Sequence, residues 1–172
     1  RDYLERQYLL EDSELDKIAE MNKELNTQID DSDSAGNILW TPKEFQFSNM
    51  FSYGEGNKVR FDKAQGIIGI FAPNASGKSS LWDALSFCIY DKTSRTNSSK
   101  NILNNRKDKF YCKFHFEIDG ISYFIERTAK YVRKGTAVKV DVNFWKEDGG
   151  IIQSLNGEQR RETNSNIEKY LG

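Results

Sequence analysis

Apolar residues follow two different rhythms along this chain. Downstream of Tyr111 the period is two: Cys112, Phe114, Phe116 and Ile118 point one way, with polar residues between. Asp119-Gly120 is a two-residue hairpin signal, so a return strand is expected over 121–127. Val138, Val140, Val142 and Phe144 repeat the alternation, and Asp148-Gly149-Gly150 turns the chain into a strand over 151–155. Upstream, Trp40 is followed by the alternating Phe45-Gln46-Phe47-Ser48, whose Phe residues share a face. Gly54-Glu55-Gly56-Asn57 then turns into a return strand at Val59-Arg60-Phe61.

The middle of the chain breaks this rhythm. Ile67-Ile68-Gly69-Ile70-Phe71 is nearly continuously apolar, which predicts a strand buried on both faces. A loop of small residues follows, then Gly77-Lys78-Ser79, then a helical run over 81–90 that is apolar nearly all round and therefore expected to be buried. Thr163 or Asn164 can cap a last short helix, with Gly172 at its C′ position. At the other end, Ser13-x-x-Asp16 resembles a capping-box variant. Leu15, Ile18, Asn22, Leu25 and Ile29 then recur on one face of an amphipathic helix of about four turns, after a shorter helical piece around 3–10. Residues 30–37 are polar and turn-forming, which places a boundary between an arm, 1–37, and a body, 38–172.

Charge sharpens that division. Residues 1–33 hold 4 Lys/Arg against 11 Asp/Glu, while the remainder holds 21 against 15. An acidic arm on a basic body implies two separate jobs, and a basic body suits a polyanion. The 172 residues suffice for one domain with a real core. No apolar run approaches the roughly 18 residues of a membrane helix, and no signal peptide opens the chain. The first residue is Arg rather than Met, as in a piece excised from a longer protein. Cys88 and Cys112 sit inside apolar patterns and read as buried thiols of a reducing, cytoplasmic compartment. His115 alternates within a strand and reads as a strand-face residue.

The candidate chemistry lies where the rhythm breaks. A strand, a small-residue loop, Gly-Lys-Ser and a helix are the context that a phosphate-binding P-loop needs. Backbone N–H groups of Asn74, Ala75, Ser76, Gly77, Lys78, Ser79 and Ser80 can cradle a polyphosphate, aided by the helix dipole. Lys78 would reach the β- and γ-phosphates of ATP, and the Ser79 hydroxyl would ligate Mg²⁺. Ala72 stands where the consensus has its first glycine. Residues 91–109 carry six Lys/Arg against two Asp, either as a solvated loop or as a loop that contacts nucleic-acid phosphates. Arg95, Lys100, Arg106, Lys107, Arg133 and Lys134 are the candidates for such contacts.

The run Phe47-Ser48-Asn49, then Ser52, a strand containing Phe61, and Ile70 through Leu85 resembles the N-terminal half of the SMC/SbcC-type ATPase heads. These heads belong to DNA double-strand-break repair ATPases, including recombination endonuclease subunits of large phages. Against the family's Gly-x-Asn-Gly-x-Gly-Lys-Ser-Ser-Leu-x-Asp-Ala, the residues Asn74, Gly77, Lys78, Ser79, Ser80, Leu81, Asp83 and Ala84 match, and Ala72 and Ala75 replace glycines. A Cβ at those two places demands torsions compatible with L-residues. The hairpin leading to Tyr123-Phe124-Ile125-Glu126-Arg127 is similar to the family's antiparallel sheet. The resemblance covers about residues 40–172 and implies an α/β P-loop NTPase fold, an ABC-ATPase-like head half (lobe I), preceded here by a helical arm.

It also implies partners. In the family a long coiled coil interrupts the head, and the C-terminal half of the same head supplies the remaining pieces. An assembled head sandwiches two ATP molecules between subunits, and an SbcD-like nuclease subunit and double-stranded DNA complete the assembly. This chain has no apolar strand ending in Asp-Glu for hydrolysis. Leu155-Asn156-Gly157-Glu158-Gln159 superficially resembles the transporter-type signature, but Asn156 replaces its serine, and Gly beside Asn favours a turn. The chain alone is therefore expected to bind nucleotide weakly or not at all and to turn over little. The same loop also fits a chromosome-organising SMC-type ATPase or a recombination mediator of the RecF type, and the arm fits a non-enzymatic docking module.

Overall fold

A computed structural model describes residues 38–64, 66–96, 98–133 and 137–172, together with Lys17, Ile18, Glu20 and Met21. Those last four are helical; the rest of the amphipathic arm and its capping box lie outside the described residues. The chain divides into a unit Arg1–Asn37 and a unit Ile38–Gly172. The second unit runs β1 (Trp40–Ser48), β2 (Asn57–Arg60), α1 (Lys78–Tyr90), α2 (Ser99–Ile102), β3 (Lys109–Ile118), β4 (Ile121–Arg133), β5 (Ala137–Asp148), β6 (Ile151–Ser154) and α3 (Arg160–Leu171).

The alternating segments pair as their periodicity dictates, giving one antiparallel sheet in the order β2-β1-β3-β4-β5-β6. Its centre is the β3–β4 ladder, which opens at Ile118 opposite Ile121 and reaches Lys109 opposite Lys130. Asp119 and Gly120 make that hairpin with φ of 50° and 80°, the left-handed pair that a type I′ turn requires. One face carries the core. Phe45, Phe47, Phe110, Phe114, Phe116, Ile125 and Phe144 are buried there. Ala84, Phe87 and Cys88 of α1 and Ile167 and Leu171 of α3 are buried in the same cluster. Aromatic edges lock the layers, with Phe87 meeting Phe110 at 5.5 Å and Tyr170 meeting Tyr123 and Phe144 at the same spacing.

His115 stands on the opposite face, stacked on Phe124 at 4.4 Å, and Phe124 stacks on Trp145 at 5.3 Å. Partial burial holds the imidazole below its ordinary pKa. Both cysteines are buried free thiols. The Cys88 Sγ–H points at the Ile125 carbonyl, 3.7 Å away, and burial pushes the Cys112 thiol well up. At the centre Arg127 is fully buried. Its Nε and Nη2 donate to the carbonyls of Cys88 and Ile89, at 2.8 and 3.2 Å, at the C-terminus of α1. Its Nη1 lies 3.5 Å from Asp91, whose carboxylate also accepts from Arg160 and Asn164 of α3. A cation that satisfies the last carbonyls of a helix offsets its own desolvation.

Five expectations need correction. Residues 67–71 form no strand; Phe71 is 94 % and Ile68 60 % exposed. An apolar strand buried on both faces needs a ladder on each side, and 67–71 pairs with none of the described strands. Instead Phe61–Lys63 forms a 3₁₀ turn that ends the β2 hairpin. Secondly, α1 is buried along one side only: Trp82 and Tyr90 face solvent. Thirdly, the return strand β4 extends past Arg127 to Arg133, because β3 and β5 pair it on both sides. Fourthly, α3 starts at Arg160 rather than at 163 or 164. Glu162 and Thr163 lie inside it and reach back to accept from the N–H groups of Glu158 and Gly157. Fifthly, the polar run 91–109 is not wholly solvated: Ile102 and Leu103 are in the core, and Leu103 bridges Met50. Among the described residues, no helix is long and apolar enough to cross a membrane.

Candidate functional site

The first turn of α1 offers unclaimed donors. Its earliest intrahelical bond runs from Leu81 N–H to the Gly77 carbonyl, and no side-chain oxygen caps the turn. The N–H groups of Lys78, Ser79 and Ser80 are therefore the orphan donors that a helix N-terminus presents to an anion. Gly77 makes this geometry possible. Its φ is 95°, a left-handed torsion that favours glycine, and a Cβ there would meet Ser52 Oγ at 2.8 Å, so the Ser52 hydroxyl would have to turn away. Tyr53 buttresses the same point, its hydroxyl donating to the Gly77 carbonyl at 3.1 Å.

The loop before it is tight. Ser76 N–H reaches the Pro73 carbonyl at 3.3 Å, and Ala75 sits at φ 64°. Ala75 therefore does adopt a glycine-like torsion, against the expectation of an L-compatible one, because the turn from Asn74 to Gly77 needs a left-handed residue there. A Cβ in that region costs about 1–2 kcal/mol. Ala72 lies outside the left-handed region. The Lys78 ammonium donates to the carbonyls of Ala72 and Pro73, the latter at 2.8 Å, so it spans the loop it would open for a phosphate.

A cavity of about 660 Å³ opens beside this turn. Ile68, Ile70 and Trp82 give it an apolar wall; Lys78, Ser79, Asp83 and Arg95 give it a polar one. Ser79 is exposed at this mouth, and Asn74, Ala75 and Ser76 of the preceding loop are exposed as well. The buried Asp83 accepts from Ser94 Oγ at 2.7 Å and pairs with Arg95 at 2.8 Å. Arg95 Nη1 also donates to Ser80 Oγ at 3.3 Å, so the Ser80 side chain supports the wall and only its N–H faces the grip. Arg95, a nucleic-acid candidate by sequence, is thus held in the wall of this cavity. The signal for that role is Asp83: a carboxylate on the packed side of a helix requires a cation.

The other candidate cations do not converge. Lys107 pairs with Glu55 at 2.8 Å, and Arg106 lines a separate polar cavity beside Ser52. Lys100 lies on α2. Arg133 ends β4, its side chain outside the described residues, as is the whole of Lys134. Residues 155–157 are irregular and 158–159 bend into α3; Asn156 Oδ1 accepts from Phe144 N–H at 2.7 Å, which ties that side chain to β5.

The family described as AAA domain matches residues 44–171. Uncharacterized protein R555 of Acanthamoeba polyphaga mimivirus is 39% identical over 140 residues, 77% of this chain and 10% of its own length. The SbcC component of the nuclease SbcCD of Bacillus subtilis is 29% identical over 76% of this chain and 12% of its own. A DNA double-strand break repair Rad50 ATPase of Methanocaldococcus jannaschii is 33% identical over 49% of this chain and 8% of its own. The chain thus spans about a tenth of the length of the curated relatives it matches. A solved structure of the recombination mediator protein RecF is similar in fold, with TM-score 0.50 and 20% identity over 69% of this chain and 28% of that one.

Proposed function

The chain belongs to the AAA domain family, and from that premise we propose that it is the ATP-binding lobe of an SbcC-like DNA repair and recombination ATPase. The observation that carries this reading is the grip at the start of α1, where orphan N–H groups, a left-handed Gly77 and Lys78 converge. A triphosphate fits these residues. Its oxygens would take the N–H groups of Lys78, Ser79 and Ser80, and Lys78 would exchange two loop carbonyls for phosphate. Ser79, exposed at the cavity mouth, would hold Mg²⁺, which when bound supplies the positive charge that offsets the phosphate oxygens.

The exposed segment 67–71 supports a further element of this reading. Ile68 and Ile70 also line an apolar groove of about 450 Å³ with Phe45, Val59, Leu81 and Leu85. Such a surface suits strands contributed by the C-terminal half of the same head, which would bring the missing carboxylates. On this reading catalysis belongs to the assembled head, dimerised through ATP, with an SbcD-like nuclease subunit and double-stranded DNA as partners. Lys100, Lys107, Arg133 and Lys134 are proposed to contact DNA phosphates without reading sequence. The arm over 1–37 is proposed as a docking element.

Lys78→Ala tests the reading directly. Titration of MgATP into the full protein, with both head halves, should show at least a hundredfold loss of affinity. Unchanged affinity would overturn the assignment.

A further inference from the structure

The two ends of α1 are held differently. Its first turn presents free N–H groups, whereas its last turn is tied to β4 and α3 through one carboxylate. Asp91 follows the helix at φ 60°, its N–H donating to the Phe87 carbonyl at 3.0 Å. Glycine is the common occupant of a left-handed position after a helix, so a carboxylate is what Asp91 adds there.

Two guanidinium groups meet that carboxylate, and only one is served. Arg160 of α3 engages it as a fork: Nε donates to Oδ2 at 2.8 Å, and Nη2 donates to Oδ1. Arg127 of β4 uses Nε and Nη2 on the carbonyls of Cys88 and Ile89. Its Nη1 stops 3.5 Å from Asp91 Oδ1, buried and without a hydrogen bond among the described residues. A charged N–H···O bond closes to about 2.7–2.9 Å. Asn164 of α3 donates through Nδ2 to Asp91 Oδ2 at 2.8 Å, while its Oδ1 is likewise buried and unpaired. The cluster thus holds an unused donor and an unused acceptor, and native interiors leave few of either.

The surroundings of the two cations differ. The Arg127 side chain is fully buried, whereas that of Arg160 is 36 % exposed. An exposed guanidinium loses little on releasing a carboxylate, because water replaces it; a buried one gains most from taking it. The arrangement seen here therefore has a competitor, in which Asp91 turns to Arg127 Nη1 and Arg160 goes to water.

We propose that Asp91 is a two-position latch between α1 and α3, with Arg127 and Arg160 as its alternate holders. In the position seen, the end of α1 and the first turn of α3 are joined. In the other, Arg127 keeps the end of α1 on β4 and the first turn of α3 comes free. Ile167 and Leu171, both buried, keep the rest of α3 on the core. The latch decides whether a displacement of α1, which carries the phosphate grip at its other end, is passed on to α3. It does not depend on which ligand the grip holds.

Arg160→Gln, a change at a partly exposed side chain, tests the exchange in the full protein. Hydrogen-exchange mass spectrometry should show amides 163–166 exchanging at least tenfold faster than in wild type. Amides 88–91 should keep wild-type protection, because Arg127 takes over the carboxylate. A crystal structure of the variant should show Arg127 Nη1 within about 3.0 Å of Asp91. Joint loss of protection at 88–91 and 163–166 would overturn the latch, by showing one fixed clamp. Unchanged exchange at 163–166 would remove Arg160 as a holder, and an Arg127–Asp91 separation as long as in wild type would remove Arg127; either result sinks the proposal.

Discussion

The β3–β4–β5 sheet and the segment 64–77 are both rich in apolar residues, yet they meet opposite fates. Phe114 is completely buried, paired on both sides by β1 and β4. Phe71, a residue of the same kind, is almost completely exposed. The difference is the supply of neighbours. Every described strand pairs with a strand next to it in sequence, whereas 67–71 pairs with none of them. Self-sufficiency of the sheet and exposure of 67–71 follow from this one contrast, and it can be broken experimentally.

The largest effects belong in the core. Phe114→Ala should cost about 3–5 kcal/mol in urea unfolding, whereas Phe71→Ala should stay within about 0.5 kcal/mol for this chain. Equal losses at the two sites would mean that 67–71 is packed after all. Arg127→Ala should cost about 3–5 kcal/mol, because Asp91 and two helix carbonyls lose their buried donor. A midpoint shift confined to the surface scale would dismiss Arg127 as the anchor of α1.

Smaller effects probe the grip. Ala75→Gly relieves a left-handed Cβ worth about 1–2 kcal/mol but adds about 0.5–1 kcal/mol of unfolded-chain freedom. The net gain in unfolding free energy should lie between zero and about 1.5 kcal/mol, and a loss would show that the torsion is not strained. The smallest effect is at His115. Its folded pKa lies below its unfolded value near 6.5, so the unfolded chain binds more protons between the two. Its contribution is then fully present above about pH 6.5 and is lost as pH falls through that window. His115→Gln should flatten the stability profile there relative to wild type, and an identical profile would remove the histidine from the balance.

The sequence is legible wherever local rules suffice. Alternation plus Asp119-Gly120 specifies the central hairpin, and Gly77-Lys78-Ser79 before a helix specifies the grip. It fails where the outcome depends on residues distant in sequence. The run 67–71 has the composition of a buried strand, but burial requires flanking strands that its own residues cannot encode. Arg95 looks like one more cation in a polar loop, and only the fold shows that Asp83, eleven residues before Ser94, holds that loop. Similarly, Ile102 and Leu103 are two apolar residues in a basic stretch, and only the turn at Met50 gives them a core to enter.

The two buried thiols give this molecule an internal clock. Cys88 faces the sheet from α1 and Cys112 faces α1 from the sheet, both without solvent contact. A thiol without solvent contact is inert to alkylation, and burial raises the Cys112 pKa as well, so each sulfur reacts only during the moments when the helix lifts away. The labelling rate counts those openings. A nucleotide that clamps the N-terminus of α1 should slow the count at Cys88 and Cys112 alike, which turns two silent core residues into a recorder of occupancy.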